Sequence, residues 1–177
     1  MDTVPENTAP EIRKWSELHN MAVVSVNEGK KVGTCDDFYF EPNSQVIYAL
    51  KIKTGMLSHK VLPAASINTI GQDAITITSE GDLQGKGDDG KLATLPLGEI
   101  LHSYKVMSAS GTVVGTLGNI LIDVSTPTAP RVTDFELTRG LRERIGRKYE
   151  TFSANEVISY GQDVLVISDA EAQQLNS

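Results

Sequence analysis

Short runs of alternating apolar and polar residues, separated by turn residues, follow one another along most of the chain. In residues 46–53, Val46, Tyr48, Leu50 and Ile52 fall on one face of an extended segment, as expected for a strand with one buried side. Similar runs predict further strands at residues 21–26, 32–40, 56–62, 113–116, 119–124 and 131–137. Frequent Val, Ile and Thr, with 15 glycines, are typical of an all-β protein with many turns.

Several short motifs occur twice in the chain. The paired copies are Gly-Gln-Asp at 71–73 and 161–163, Gly-x-x-Val-Gly-Thr at 29–34 and 111–116, and Trp-Ser-Glu-Leu at 15–18 with Leu-Gly-Glu-Ile at 97–100. Repeated turns and bends of this kind indicate one small β unit used twice. Units of about 80 residues bury too little surface to be very stable alone, so we expect the halves to pack on each other or on a second chain.

The repeat and the composition divide the chain into five parts. We predict a disordered tail at 1–11, a first unit at 12–80, a flexible Gly/Asp linker at 81–95, a second unit at 96–170 and a tail at 171–177. A short helical turn capped by Asp169 is expected near the C-terminus.

Certain residues are expected to have structural roles. Gly33 and Gly115 fall inside predicted strands, where glycine is typical of a sharp bend or a bulge. Trp15 is expected to close the end of the first unit. The returning turns contain Gly71, Asp73, Gly161 and Asp163.

Charge and cysteine content exclude several classes of function. A net charge of −7 and a pI near 4.9 disfavour nucleic acid as a partner, although a local basic patch can override the average. Cys35 is the single cysteine, so no intramolecular disulfide or thiolate metal site can form. No leader-like segment and no apolar run of membrane-spanning length are present. We therefore expect a cytoplasmic protein with no membrane span.

No catalytic, metal-binding or cofactor-binding motif is convincing. Gly85, Gly87 and Gly90 match a dinucleotide pattern, and Lys91 nearly completes a phosphate loop. However, no helix is expected directly after them, and Asp88 and Asp89 would repel a phosphate. The three histidines lack metal-ligand spacing, and no carboxylate partner is suggested for them. We therefore expect no cofactor, no metal and no enzyme activity.

Basic residues are concentrated in one short segment of the chain. The cluster contains five of the 16 basic residues within ten positions, namely Arg139, Arg142, Arg144, Arg147 and Lys148. It surrounds an insertion of five residues relative to the first unit. Such a segment can bind an anionic partner. The alternative is a solvated loop neutralised by Glu136, Glu143 and Glu150.

The chain resembles the PRC-barrel family. The likeness is carried by the opening at 15–18, the bend at 29–33, the strand at 48–52, the Leu62-Pro63 step and the return at 70–74. The second unit repeats the opening, the bend and the return, but has Phe152-Ser153 in place of Leu-Pro. The resemblance implies two tandem, strongly bent, six-stranded β-barrels packed on each other. Relatives include the cytoplasmic part of the photosynthetic reaction centre H subunit and the C-terminal domain of a ribosome-maturation factor.

From these features we expect a non-enzymatic module for protein interaction or assembly. Exposed strand edges and loops would bind an unidentified protein partner or a second copy of the chain. The alternative is an RNA-processing or ribosome-associated factor that uses the basic segment at 139–148, which the acidic pI disfavours. An enzyme or ligand-binding protein would need a deep pocket between the halves, and the sequence gives no sign of one.

Overall fold

The computed structural model describes residues 9–139 and 150–176. The first half contains β1 (Ile12–Lys14), α1 (Trp15–Leu18), β2 (Ala22–Ser25), β3 (Lys30–Glu41), β4 (Val46–Lys53), β5 (His59–Pro63), β6 (Ile67–Ile70) and β7 (Ala74–Ile77). The second half contains α2 (Gly98–His102), β8 (Lys105–Ser108), β9 (Val113–Asp123), β10 (Arg131–Thr138), β11 (Glu150–Ser153), β12 (Val157–Tyr160), β13 (Val164–Ile167) and α3 (Asp169–Asn176). The all-β prediction is confirmed.

The described strands form one sheet whose order is nearly symmetric about its middle. The order is β12-β13-β8-β9-β10-β4-β3-β2-β7-β6, with β11 beside β10, β5 beside β4 and β1 beside β9. In each half, the first and last of six strands in chain order pair in parallel, β2 with β7 and β8 with β13. The second half therefore repeats the six strands β2–β7 of the first as β8–β13.

The two halves join where the equivalent strands β4 and β10 begin. Val46 pairs with Arg131 in antiparallel register. The Ile47 amide donates to the Pro130 carbonyl at 2.8 Å, and the Val132 amide donates to the Gln45 carbonyl at 2.9 Å. These two hydrogen bonds exchange under a pseudo-two-fold rotation, as the contacts of a symmetric dimer would.

The opening segment of the first half lies on the second half. β1 pairs with β9, with Arg13 opposite Ile122. The Ser16 amide of α1 donates to Asn119 Oδ1 at 3.3 Å, and Asn119 Nδ2 donates to Ser16 Oγ at 2.8 Å. Lys14 forms an ion pair of 2.9 Å with Glu136, a buried carboxylate on β10.

The opening segment of the second half lies in turn on the first half. The Phe40 amide of β3 donates to the Pro96 carbonyl at 2.9 Å. The Glu99 amide of α2 donates to Asp37 Oδ1 at 3.2 Å. Asp37 corresponds to Asn119, so each half supplies a side-chain acceptor to a backbone amide of the other half's opening helix. The exchange is reciprocal.

A single buried apolar cluster runs through both halves. Phe38 and Ile52 of the first half belong to it together with Phe135 and Phe152 of the second, and each of these four is at most 2% exposed. Trp15 is also buried and meets the Phe38 ring edge-on, with 4.7 Å between the ring centroids. The prediction that the halves pack on each other is confirmed.

Predictions for both ends of the described chain need correction. Glu11, predicted to be in a disordered tail, accepts the Val124 amide at 2.9 Å through its carbonyl; residues 1–8 lie outside the described residues. The C-terminal helix is capped by Ser168, whose Oγ accepts the Glu171 amide at 3.1 Å, and not by Asp169. Ala172 and Leu175 of this helix are buried in the core, because α3 presents a small apolar face to the barrel.

The linker is packed and is not a loose connection. Leu83 joins the main core, and Leu92 joins a smaller cluster with Tyr39, Ala49 and Val61 on the outer face of the first half. Gln84 exchanges two backbone hydrogen bonds of 2.7 Å with Val61. Its few apolar residues therefore suffice to hold the linker on β5.

Candidate interaction surfaces

The predicted structural glycines occupy equivalent places in the two halves. A Cβ atom at Gly33 would lie 2.6 Å from the Lys53 carbonyl oxygen, and one at Gly115 would lie 2.7 Å from that of Thr138. At the returning turns, the Gly71 amide donates to Ala74 and the Gly161 amide to Val164, both at 2.9 Å. Asp73 and Asp163 are exposed in these turns, so their structural role stays a prediction.

The basic cluster is described only at its first residue. Arg139 Nη2 donates to Glu150 Oε2 at 2.7 Å and also to the Leu175 carbonyl, so this side chain ties the base of the β10–β11 connection to α3. Arg142, Arg144, Arg147 and Lys148 lie outside the described residues. Glu136, expected to neutralise the cluster, pairs with Lys14. A contact surface at 139–148, and the RNA alternative that depends on it, stay predictions.

The glycine-rich stretch of the linker satisfies its own amides with carboxylates. Asp88 Oδ2 accepts the Gly85 amide and Asp89 Oδ1 accepts the Lys91 amide, each at 2.9 Å. Asp89 also accepts a hydrogen bond from the Tyr48 hydroxyl, which lowers the pKa of this aspartate. Lys91 lies over the Tyr48 ring, 4.7 Å from its centroid, and pairs with Glu41. These amides are therefore engaged where a phosphate loop would need them free.

The structure gives His59 and Cys35 surroundings that the sequence did not indicate. His59 Nε2 lies 3.1 Å from Asp36 Oδ2, a carboxylate partner that sequence spacing could not suggest. Cys35 is fully buried in β3, and this burial raises the pKa of its thiol. Within residues 9–139 and 150–176, no three His, Cys, Asp or Glu side chains form a group that could hold a metal.

The two end strands of the sheet, β6 and β12, are equivalent but differ in surface chemistry. Within the described residues each pairs on one side only, β6 with β7 and β12 with β13. On β6 the exposed side chains are the polar Asn68 and Thr69. They form hydrogen bonds across the hairpin, Asn68 to Thr78 and Thr69 to Thr76. At the position of Asn68, β12 has Ile158, which is 61% exposed.

Aromatic packing fixes β12 to both halves. The ring of Tyr160, the last residue of β12, packs 5.2 Å from that of Phe40 in the first half and 6.2 Å from that of Phe135 in the second. Burial raises the pKa of the Tyr160 hydroxyl, whose oxygen has no hydrogen-bond partner within the described residues. Tyr160 thus anchors the end of β12 in the core, while the outer edge of the strand has no partner among the described residues.

A second apolar surface, which sequence reasoning missed, lies at the β4–β5 turn. Residues 56–62 were predicted as a strand, but β5 begins only at His59. Met56 and Leu57 are consequently in the turn, 90% and 94% exposed. The sequence signal was an apolar pair directly after the Thr54-Gly55 turn residues. We call residues 54–58 the hairpin tip.

Comparison with known protein families finds a match in the first half of the chain. Residues 10–84 match the family model of the PRC-barrel domain. The first half of the chain is thus similar to a PRC-barrel domain. No curated protein matches the sequence. The matched range contains β1 and α1, which pack on the second half, so the match extends beyond the six-stranded unit β2–β7. None of the helices in the described part of the chain is long and apolar enough to cross a membrane.

Proposed function

We propose that the protein is a non-enzymatic assembly module made of two PRC-barrel units, and that a protein partner adds a strand to β12. A PRC-barrel domain suggests a role in protein interaction or assembly. The proposal for the second unit is supported by its repetition of the strand order of the first. The division at linker 81–95 agrees with this repetition.

The observation that carries the proposal is the outer edge of β12, which is unpaired in the described part of the chain and has an exposed isoleucine. Main-chain amides and carbonyls on an unpaired edge bind an extended peptide, and side chains along the edge give specificity. Ile158 contributes apolar area at this edge, whereas Asn68 at the equivalent site of β6 is hydrogen-bonded within its own hairpin. The partner therefore prefers β12 to β6.

The difference between the two edges supplies the experiment. Ile158→Asn gives β12 the residue that β6 has, and because Ile158 is exposed, the change should leave folding intact. Proteins cross-linked to the tagged chain in cells of the source organism are compared for wild type, Ile158→Asn and the matched variant Asn68→Ser. The proposal expects one partner to be lost with Ile158→Asn and retained with Asn68→Ser.

Two results would count against strand addition at β12. The first is an unchanged partner set in Ile158→Asn. The second is a cross-link map in which the partner attaches only to residues 139–148, which would favour the basic segment. In parallel, a triple variant tests that segment directly; it combines Arg142→Glu, Arg144→Glu and Arg147→Glu. Its far-ultraviolet circular dichroism melt is the control for folding.

A further inference from the structure

Two hairpin turns lie at one end of the first half. β3 is antiparallel to both β2 and β4, so the β2–β3 turn and the hairpin tip are both placed at the N-terminal end of β3. The Thr54 amide closes the tip by donating to the Ser58 carbonyl at 2.9 Å. Beyond this closure the tip projects Met56 and Leu57, and Val26 at the neighbouring turn is 60% exposed.

Basic side chains lie directly behind the tip. Lys31 and Lys53 line a shallow groove of about 390 Å³ at the base of the tip, together with Thr34 and Thr54. Both lysines are exposed, and neither has an ion-pair partner within the described residues, whereas the adjacent Lys30 is paired with Glu80 at 2.8 Å. The groove thus has positive charge and hydroxyl groups beside an apolar projection.

We propose that this end of the molecule docks on an anionic phospholipid membrane surface. Met56 and Leu57 enter the boundary between headgroups and acyl chains, and Lys31 and Lys53 bind headgroup phosphates at the groove. Apolar side chains backed by lysines are the combination that interfacial binding requires. The exposed apolar residues lie on two separate turns. A flat membrane surface can contact both turns at once, whereas a pocket in a protein would enclose only one of them.

Vesicle sedimentation of the full chain tests the proposal. The expected result is binding to phosphatidylcholine vesicles that contain about 30% phosphatidylserine, weak binding to phosphatidylcholine alone, and release as salt screens the lysines. Equal binding to the two vesicle types, or binding to neither, would overturn the proposal.

Variants separate the apolar contribution from the charged one. Met56→Ser with Leu57→Ser should weaken partitioning by at least about tenfold. Lys31→Gln and Lys53→Gln should each weaken it by about fivefold. The control combines Val113→Ser and Ile100→Ser, two other exposed apolar positions, and should leave partitioning unchanged. Equal loss in the tip variant and the control would refute a specific docking site.

The same variants distinguish a membrane from a second copy of the chain. If light scattering without vesicles shows a dimer that Met56→Ser with Leu57→Ser converts to a monomer, a second copy covers the tip and the proposal is wrong. The proposal does not depend on the β12 edge, because Ile158→Asn should leave vesicle binding intact while it removes the protein partner.

Discussion

Gly33 and Gly115 show how a single missing side chain sets the bend of each half. Because a Cβ at Gly33 would lie 2.6 Å from both Lys53 O and the Ile52 side chain, Gly33→Ala must push β3 away from β4. We expect a loss of about 2–4 kcal/mol in the free energy of unfolding, measured by urea denaturation.

The control for this prediction is Gly87→Ala. A Cβ at Gly87 meets no atom within 4 Å, so the change should alter stability by less than about 0.5 kcal/mol. If both variants lose a comparable amount of stability, the close approach of Gly33 to β4 is not the cause of the loss.

We expect Asp37 to make the stability of the protein depend on pH. The side chain is 4% exposed, and burial raises its pKa even though the Phe38 and Glu99 amides donate to it. The folded state therefore holds this proton more tightly than the unfolded state, so stability falls as pH rises above the ordinary aspartate range of about 4.

The measurement compares wild type with Asp37→Asn, the amide that the second half has at Asn119. Thermal unfolding of both proteins is followed from acid to neutral pH. The unfolding midpoint of the wild type should fall relative to that of the variant as pH rises. A constant difference across this range would mean that Asp37 does not change protonation on unfolding.

The two residues also show the reach of sequence reasoning. The bend at Gly33 was predictable, because glycine inside an alternating apolar pattern already indicates a backbone constraint. The role of Asp37 was not, since its acceptor contact with the Glu99 amide joins positions far apart in the chain. The pairing of His59 with Asp36 was hidden for the same reason.

At the scale of elements, the exchanged opening segments are the main finding. Asn119→Ala removes both hydrogen bonds to Ser16, and we expect it to cost about 1–2 kcal/mol. Hydrogen exchange should increase at residues 11–18 and in β9, because these elements open together.

Asn68→Ala is the matched control for Asn119. Its side chain also makes two hydrogen bonds, both to Thr78, but on the exposed face of the β6–β7 hairpin. The expected change is below about 0.5 kcal/mol. An effect of Asn119→Ala no larger than this would contradict a structural role for the exchange.

Element boundaries followed the sequence where alternation was regular. Residues 46–53 were predicted as a strand and form β4 with the same bounds. Prediction failed at Met56 and Leu57, where apolar side chains suggested a strand but the turn needs five residues to close. Prediction also failed for the linker, because its composition is polar. Leu83 and Leu92 anchor the linker, but their role is visible only when the position of β5 is known.

For the whole molecule, reciprocal exchange predicts that the halves stay together without a covalent link. A protease site inserted at the exposed Gly87 would separate the first half from the second after cleavage. Because each fragment retains contacts in the shared core and its opening segment lies on the other fragment, the two should co-elute in size-exclusion chromatography. Elution as two separate species would show that the linker holds the halves together.

The pseudo-two-fold junction at Val46 and Arg131 has one more consequence. Two identical chains related by a true axis must present the same chemistry at both poles, since any substitution appears twice. Here β4 and β10 run in opposite directions from their meeting point, so the hairpin tip follows the end of β4 at one pole and Arg139 follows the end of β10 at the other. A single polypeptide can therefore evolve each pole separately, and it can bridge two unlike targets.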